Sequence, residues 1–187
     1  MRQKRFLERR GGYRGYWRAA DLLEFTSHGY GGYVFDENMQ KCEFDGYRAD
    51  CITDFALDFL EQYEGEKPFF MTISHIEPHH QNDKGCYEGP EGSKERFKDF
   101  ELPGDLAALP GDAGEMYSDY LGCCRSLDDN LGRLIEKLKE KGIYKDTIII
   151  YSSDHGSHFR TRNRDEHLCG GDDYKRSCHS ACLHVRW

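Results

Sequence analysis

The chain has 187 residues, 32% charged, 37% hydrophobic and 13% aromatic, a globular composition long enough for one real core. Its net charge of −8 argues against a general affinity for nucleic acid or an anionic membrane surface. No apolar run approaches the roughly 18 residues that a membrane-spanning helix needs.

The basic start, MRQKRFLERR, leads into glycines and tyrosines with no apolar h-region. It does not read as a secretory signal, which favours a cytoplasmic setting and reduced thiols for the eight cysteines. Residues 11–47 are rich in Gly, Tyr and Phe without a sustained period. They read as irregular structure with short strands and a turn near Asp36–Asn38. From Asp50, the residues Ile52, Phe55, Ala56, Phe59, Leu60 and Tyr63 recur at helical intervals. They predict a helix capped by Asp50 and ending near Gly65. Lys67-Pro68 then opens PFFMTIS, a strand with proline at its first position, where a missing N–H matters least. His75, Glu77, Pro78, His79 and His80 follow at its end.

Residues 81–112 are polar, with scattered Gly and Pro, and predict a surface excursion able to act as a lid. A second helical period runs over 115–141 through Tyr120, Cys124, Leu127, Leu131, Leu134 and Leu138, with Gly142 as its stop. The β-branched run 147–151 suits a strand buried on both faces. It breaks abruptly into Ser153, Asp154, His155 and Gly156. The order helix, strand, loop, helix, strand implies an α/β layer fold with at least partly parallel pairing. Parallel neighbours would place both polar strand ends on one sheet edge, where such folds bind ligands.

A carboxylate beside an imidazole at a strand end suits a divalent cation, through a hard oxygen and a borderline nitrogen. His79 adds a donor and Lys175, in YKRS, a cation. Such a set can hold a tetrahedral oxyanion and stabilise charge in its displacement, which suggests hydrolysis of sulfate or phosphate esters. Taken singly, Asp154, His79 and Lys175 each also read as ordinary turn or surface residues. Arg160, Arg162 and Arg164 read as a solvated or substrate-facing strip.

Four stretches in order, YRADCITDFALDFLEQ, KPFFMTISHIEPHH, YLGCCRSLDDNLGRLIEKLKEKGIYKDTIIIYSSDHG and YKRSCHSACLHV, resemble the sulfatase family of the alkaline-phosphatase superfamily. The resemblance implies a fragment of the alkaline-phosphatase-like sandwich, with a mostly parallel central sheet flanked by helices. Residues 1–187 would form a partial catalytic domain, with 1–47 irregular and 48–187 an α/β core portion. It implies a sulfuric ester hydrolase in which Asp154 and His155 ligate a divalent metal, usually calcium and sometimes magnesium or manganese. His79 and Lys175 would contact the sulfate; His75 and His80 lie one short step from the matched position.

No paired aspartates lie ahead of the first helix, where the family's metal-binding pair ends its first strand, and its C-x-[PS]-x-R formylglycine motif and GKWH-like motif do not occur in these residues. The sequence therefore looks like the middle of a sulfatase, with no formylglycine-forming nucleophile of its own and no turnover expected from it alone. The polar segment 163–173 is longer than the family leads one to expect and reads as an insertion. Three other readings are a phosphodiesterase or phosphonate monoester hydrolase of the same superfamily, a binding or regulatory remnant with no activity, and a non-catalytic zinc module. The last would draw on His167, Cys169, Cys178, His179, Cys182 and His184, which lack the tight spacing of structural zinc sites.

Overall fold

The structure, a computed structural model, describes residues 10–65, 67–154, 156–157, 159 and the strand 184–186. Its chain forms two compact units: residues 1–77 with 125–138, and residues 78–124 with 139–187.

The first unit opens on an antiparallel meander. β1 (Arg18–Ala19) pairs with β2 (Tyr30–Asp36), and β2 with β3 (Lys41–Tyr47); α1 (Leu23–Thr26) lies between β1 and β2. The aromatic, glycine-rich stretch is thus more ordered than its lack of period suggested. Its turn sits at the expected place because Asp36 organises it. Oδ1 accepts from the backbone N–H of Asn38 at 2.8 Å and of Gln40 at 2.7 Å, an Asx arrangement that replaces backbone partners. Gly32 flanks a register shift in the β2–β3 ladder, and a Cβ there would lie 2.8 Å from the Phe44 ring. Only glycine allows that approach.

α2 (Arg48–Gln62) buries Ala49, Thr53, Ala56 and Leu60 on one stripe; of the face read from the sequence, Ala56 and Leu60 are buried, while Ile52, Phe55, Phe59 and Tyr63 are half-buried beside it. Asp50 lies in its first turn rather than at the cap; the N-cap is Tyr47, without a side-chain cap bond. The Asp50 carboxylate instead accepts from Asn130 Nδ2 at 2.6 Å. Asn130 belongs to α5 (Ala113–Glu140), of which residues 125–138 fall in this unit. At the exposed margin of this contact, Arg133 pairs with Asp54, and Lys137 with Glu61 at 2.6 Å.

Residues 69–75 alternate between half-buried and exposed, as an extended chain with one covered face does. They carry no ladder, however, and Phe70 is 81% exposed. An extended segment becomes a strand only where a neighbour takes its N–H and C=O groups. The ladders among the described residues are all antiparallel, so the expected parallel pairing of 68–74 and 147–151 is not among them.

The second unit corrects two expectations. Residues 81–112 are not a loose lid: they contain α3 (Ser93–Phe97) and α4 (Gly104–Ala107) and supply Tyr87 to a core with Ala113 and Phe159. Leu102, Leu106, Met116, Tyr117 and Tyr120 pack around that core. The run 147–151 is not buried on both faces either. β4 (Ile149–Tyr151) pairs antiparallel with β5 (His184–Arg186), and Ile148 and Ile150 are 67% and 65% exposed. Covering such a run requires neighbours on both sides of the sheet, and one neighbour is described. Gly142 ends α5 as expected, at φ 73°, with its N–H on the Lys139 carbonyl.

Candidate functional site

Of the four residues singled out for chemistry, two are described. His79 is exposed in the segment that follows the turn at Glu77-Pro78, and Asp154 is exposed just beyond β4. Both belong to the second unit. His155 and Lys175 lie outside the described residues, as do Arg160, Arg162, Arg164, the segment 163–173 and the first five of the six residues considered for zinc; for His184 only backbone is described.

Local packing explains how the two described segments are held. After His79, the chain closes a tight turn: the Gln81 N–H donates to the Cys86 carbonyl at 2.8 Å, and Gly85 N–H to the Gln81 carbonyl at 2.8 Å. That turn delivers Tyr87, 5% exposed, into the core. The Tyr87 ring meets His80 edge-on at 5.3 Å, Tyr120 at 5.5 Å and Phe159 at 5.2 Å. These are favourable aromatic separations. Its hydroxyl is hydrogen-bonded to Ser157 Oγ. Phe159, 4% exposed with φ 49°, is fixed again by its carbonyl, which accepts from the Asp112 N–H at 3.2 Å. One tyrosine therefore touches the neighbour of His79 on one side and the residues just after the Asp154 turn on the other.

His75 has a different place. The Thr53 hydroxyl donates to the Ala49 carbonyl at 2.9 Å, so its oxygen accepts from His75 Nε2–H at 3.0 Å. Burial pushes the imidazole pKa below its ordinary value, against the opposing pull of the nearby Glu77 carboxylate. It is a packed, neutral histidine of the first unit. His80 is half-buried against Tyr87, which leaves His79 as the exposed imidazole of the pair.

Sequence reasoning missed Tyr87, Ser157 and Phe159. The available signal was Tyr87, one of three aromatics in an otherwise polar stretch at 81–112, and a phenylalanine shortly after the glycine turn.

The Sulfatase family profile matches residues 3–179. The chain belongs to the sulfatase family. It is 28% identical over 160 residues to the ulvan-active sulfatase of Formosa agariphila, covering 80% of this chain and 29% of that one. Among solved structures it is similar to BT33494S-sulf, from work on glycosaminoglycan metabolism by Bacteroides thetaiotaomicron. The TM-score is 0.69 at 20% identity, over 84% of this chain and 33% of that chain. It is also similar to BT4656, solved in complex with its substrate D-glucosamine-2-N,6-O-disulfate. Here the TM-score is 0.59 at 19% identity, over 92% of this chain and 49% of that chain. The fold is that of the sulfatases, mixed α/β with sheet and flanking helices. This sulfatase-family chain spans less than a third of the length of the curated relatives it matches.

Sulfatases generally use a divalent metal. Among the described residues, no group of three or more His, Cys, Asp or Glu side chains could hold one. Asp154 offers a hard oxygen donor of the right chemistry, but the described residues do not complete a centre around it. The five cysteines described, Cys42, Cys51, Cys86, Cys123 and Cys124, are all free thiols.

Proposed function

We propose that this chain carries part of the sulfate-ester site of a sulfuric ester hydrolase acting on sulfated saccharides. In this reading, residues 1–187 are a portion of the catalytic domain. Asp154 and His155 are two ligands of a divalent cation, calcium in preference to magnesium or manganese, while His79 and Lys175 bind the sulfate oxygens. One observation supports it above the others: the segments bearing His79 and Asp154, far apart in sequence, are both packed on Tyr87.

The chemistry follows from the side chains. Hydrolysis of a sulfate ester moves negative charge onto the leaving oxygen and the sulfate oxygens. An exposed imidazole donates a hydrogen bond to those oxygens, and a lysine supplies a compact point charge. Such donors act most strongly when fixed in place before the reaction. The cation, when bound, would polarise the sulfate oxygens. The saccharide class is proposed because the names of the ulvan-active sulfatase and of the BT4656 complex refer to such substrates.

The test is calorimetric titration of 4-nitrophenyl sulfate into the purified chain with calcium present. Replacing His79 or Lys175 by Ala should weaken binding about tenfold, the loss of one charge-assisted contact. Binding unchanged in both variants would contradict the assignment.

A further inference from the structure

We infer that Tyr87 is a positioning residue that sets the segment bearing His79 and the segment after Asp154 relative to each other, and that its hydroxyl bond to Ser157 carries this coupling. The inference rests on the proposed sulfate site and adds to it a residue that touches neither the sulfate nor the cation.

The geometry separates two roles of one side chain. The ring is part of the core: it meets His80, Tyr120 and Phe159 within 5.2–5.5 Å, and Tyr87 is 5% exposed. Those contacts would persist if the hydroxyl were removed. The hydroxyl does something the ring does not. It reaches Ser157 Oγ, a separation of 70 in sequence, and Ser157 lies three positions beyond Asp154. A polar bond in a mostly apolar surrounding is directional, whereas ring packing tolerates sliding. Phe159 and the Asp112 N–H anchor the far end of the same segment. Ser157 and Phe159 are thus each held by a partner from outside their own segment, close in sequence to Asp154. On the other side, the Gln81–Cys86 closure makes the turn after His80 short and stiff. A displacement of Tyr87 is therefore passed to His80 and its neighbour His79.

The experiment uses Tyr87→Phe, Ser157→Ala and the double variant, in the full chain with an isotope label. Inorganic sulfate is the probe, followed by the His79 ring resonances. Each single change should weaken sulfate binding about threefold to tenfold, the worth of one neutral hydrogen bond. The double variant should lose no more than either single variant, because both remove the same bond. A purely structural role would lower the unfolding temperature of the variants but leave the sulfate affinity of the folded protein at low temperature unchanged. That outcome would overturn the inference.

The second readout needs no ligand. Amide exchange at Gln81 and Gly85 should speed up in Ser157→Ala, although the substituted residue is in the other segment. Exchange changes confined to residues near 157 would overturn the inference even if sulfate binds. If the unmodified chain shows no sulfate response while Gln81 and Gly85 do respond, the sulfate reading fails and the coupling stands.

Discussion

Arg48 and Glu77 form an ion pair with both side chains only 2% exposed, Nε to Oε1 at 2.8 Å. Arg48 begins α2 and Glu77 closes the extended segment at 69–76, so the pair pins the end of that segment onto the first unit. Arg48 also donates to the Ser27 carbonyl at 3.5 Å and to Ser27 Oγ at 3.4 Å. Glu77 Oε2 has no hydrogen-bond partner among the described residues.

A buried pair with one oxygen unsatisfied is expensive to desolvate and more expensive to break. Arg48→Ala or Glu77→Ala alone should destabilise the fold by about 3–5 kcal/mol, since each strands a buried charge. The double replacement Arg48→Met with Glu77→Leu should be within about 1–2 kcal/mol of the parent, since no charge is then stranded. Urea unfolding followed by circular dichroism measures all three. A double variant as unstable as either single variant would show that the pair is net stabilising against its apolar replacement.

His75 gives the first unit a pH dependence with a definite sign. Its folded pKa lies below the ordinary value because of burial, so the unfolded chain takes up a proton first as pH falls. Stability from this group is intact above about 6.5, the unfolded value. It declines as pH drops below that and levels off once the folded pKa is passed. His75→Gln should flatten that part of the unfolding-temperature curve. A curve with the same slope in the variant would assign the dependence to other groups.

In the second unit, Gly122 of α5 packs directly on Ser93. A Cβ at 122 would collide with Ser93 Oγ and lie 2.5 Å from its Cβ, while Ser93 Oγ is held on the Pro90 carbonyl at 2.5 Å. Alanine is the better helix former by about 1 kcal/mol. Overpacking of this kind nevertheless costs about 1–3 kcal/mol. Gly122→Ala should therefore lower the unfolding temperature, and adding Ser93→Gly should recover much of the loss. A stabilised Gly122→Ala variant would mean the two segments separate easily.

How much of this was legible in the sequence depended on whether a feature was local. The two long helices and the Gly142 stop follow from period and terminator chemistry. The Asp36 turn follows from a side chain bonding its own backbone. The burial of the 147–151 run was misread because apolar, β-branched content reports what a strand tolerates, and actual burial depends on neighbours. The same holds for 69–75, where the alternation is present and the ladder is not. The lid reading of 81–112 failed because Tyr87 and Ser93 find partners at positions 120, 122, 157 and 159, a pairing no spacing rule reveals. Asp154 and His79 are singled out only by their place in an ordered set of motifs, since each alone is one exposed residue among many.

No C-x-[PS]-x-R sequence occurs among these 187 residues. The purified chain with 4-nitrophenyl sulfate and calcium should therefore show no hydrolysis above background, because none of its residues matches the motif expected to supply the covalent step that divides the displacement. Activity that disappears in Asp154→Ala would place a working nucleophile within this chain.

The most direct test of the sulfate-site assignment is titration with manganese, followed by paramagnetic broadening of the chain's nuclear resonances. It reads the metal position without requiring turnover. Broadening should select Asp154 and His155 first and reach His79 and Lys175, and sulfate added afterwards should shift the His79 and Lys175 signals. Asp154→Ala should abolish the selective effect. Broadening centred on other acidic residues, or the same broadening in Asp154→Ala, would contradict the account.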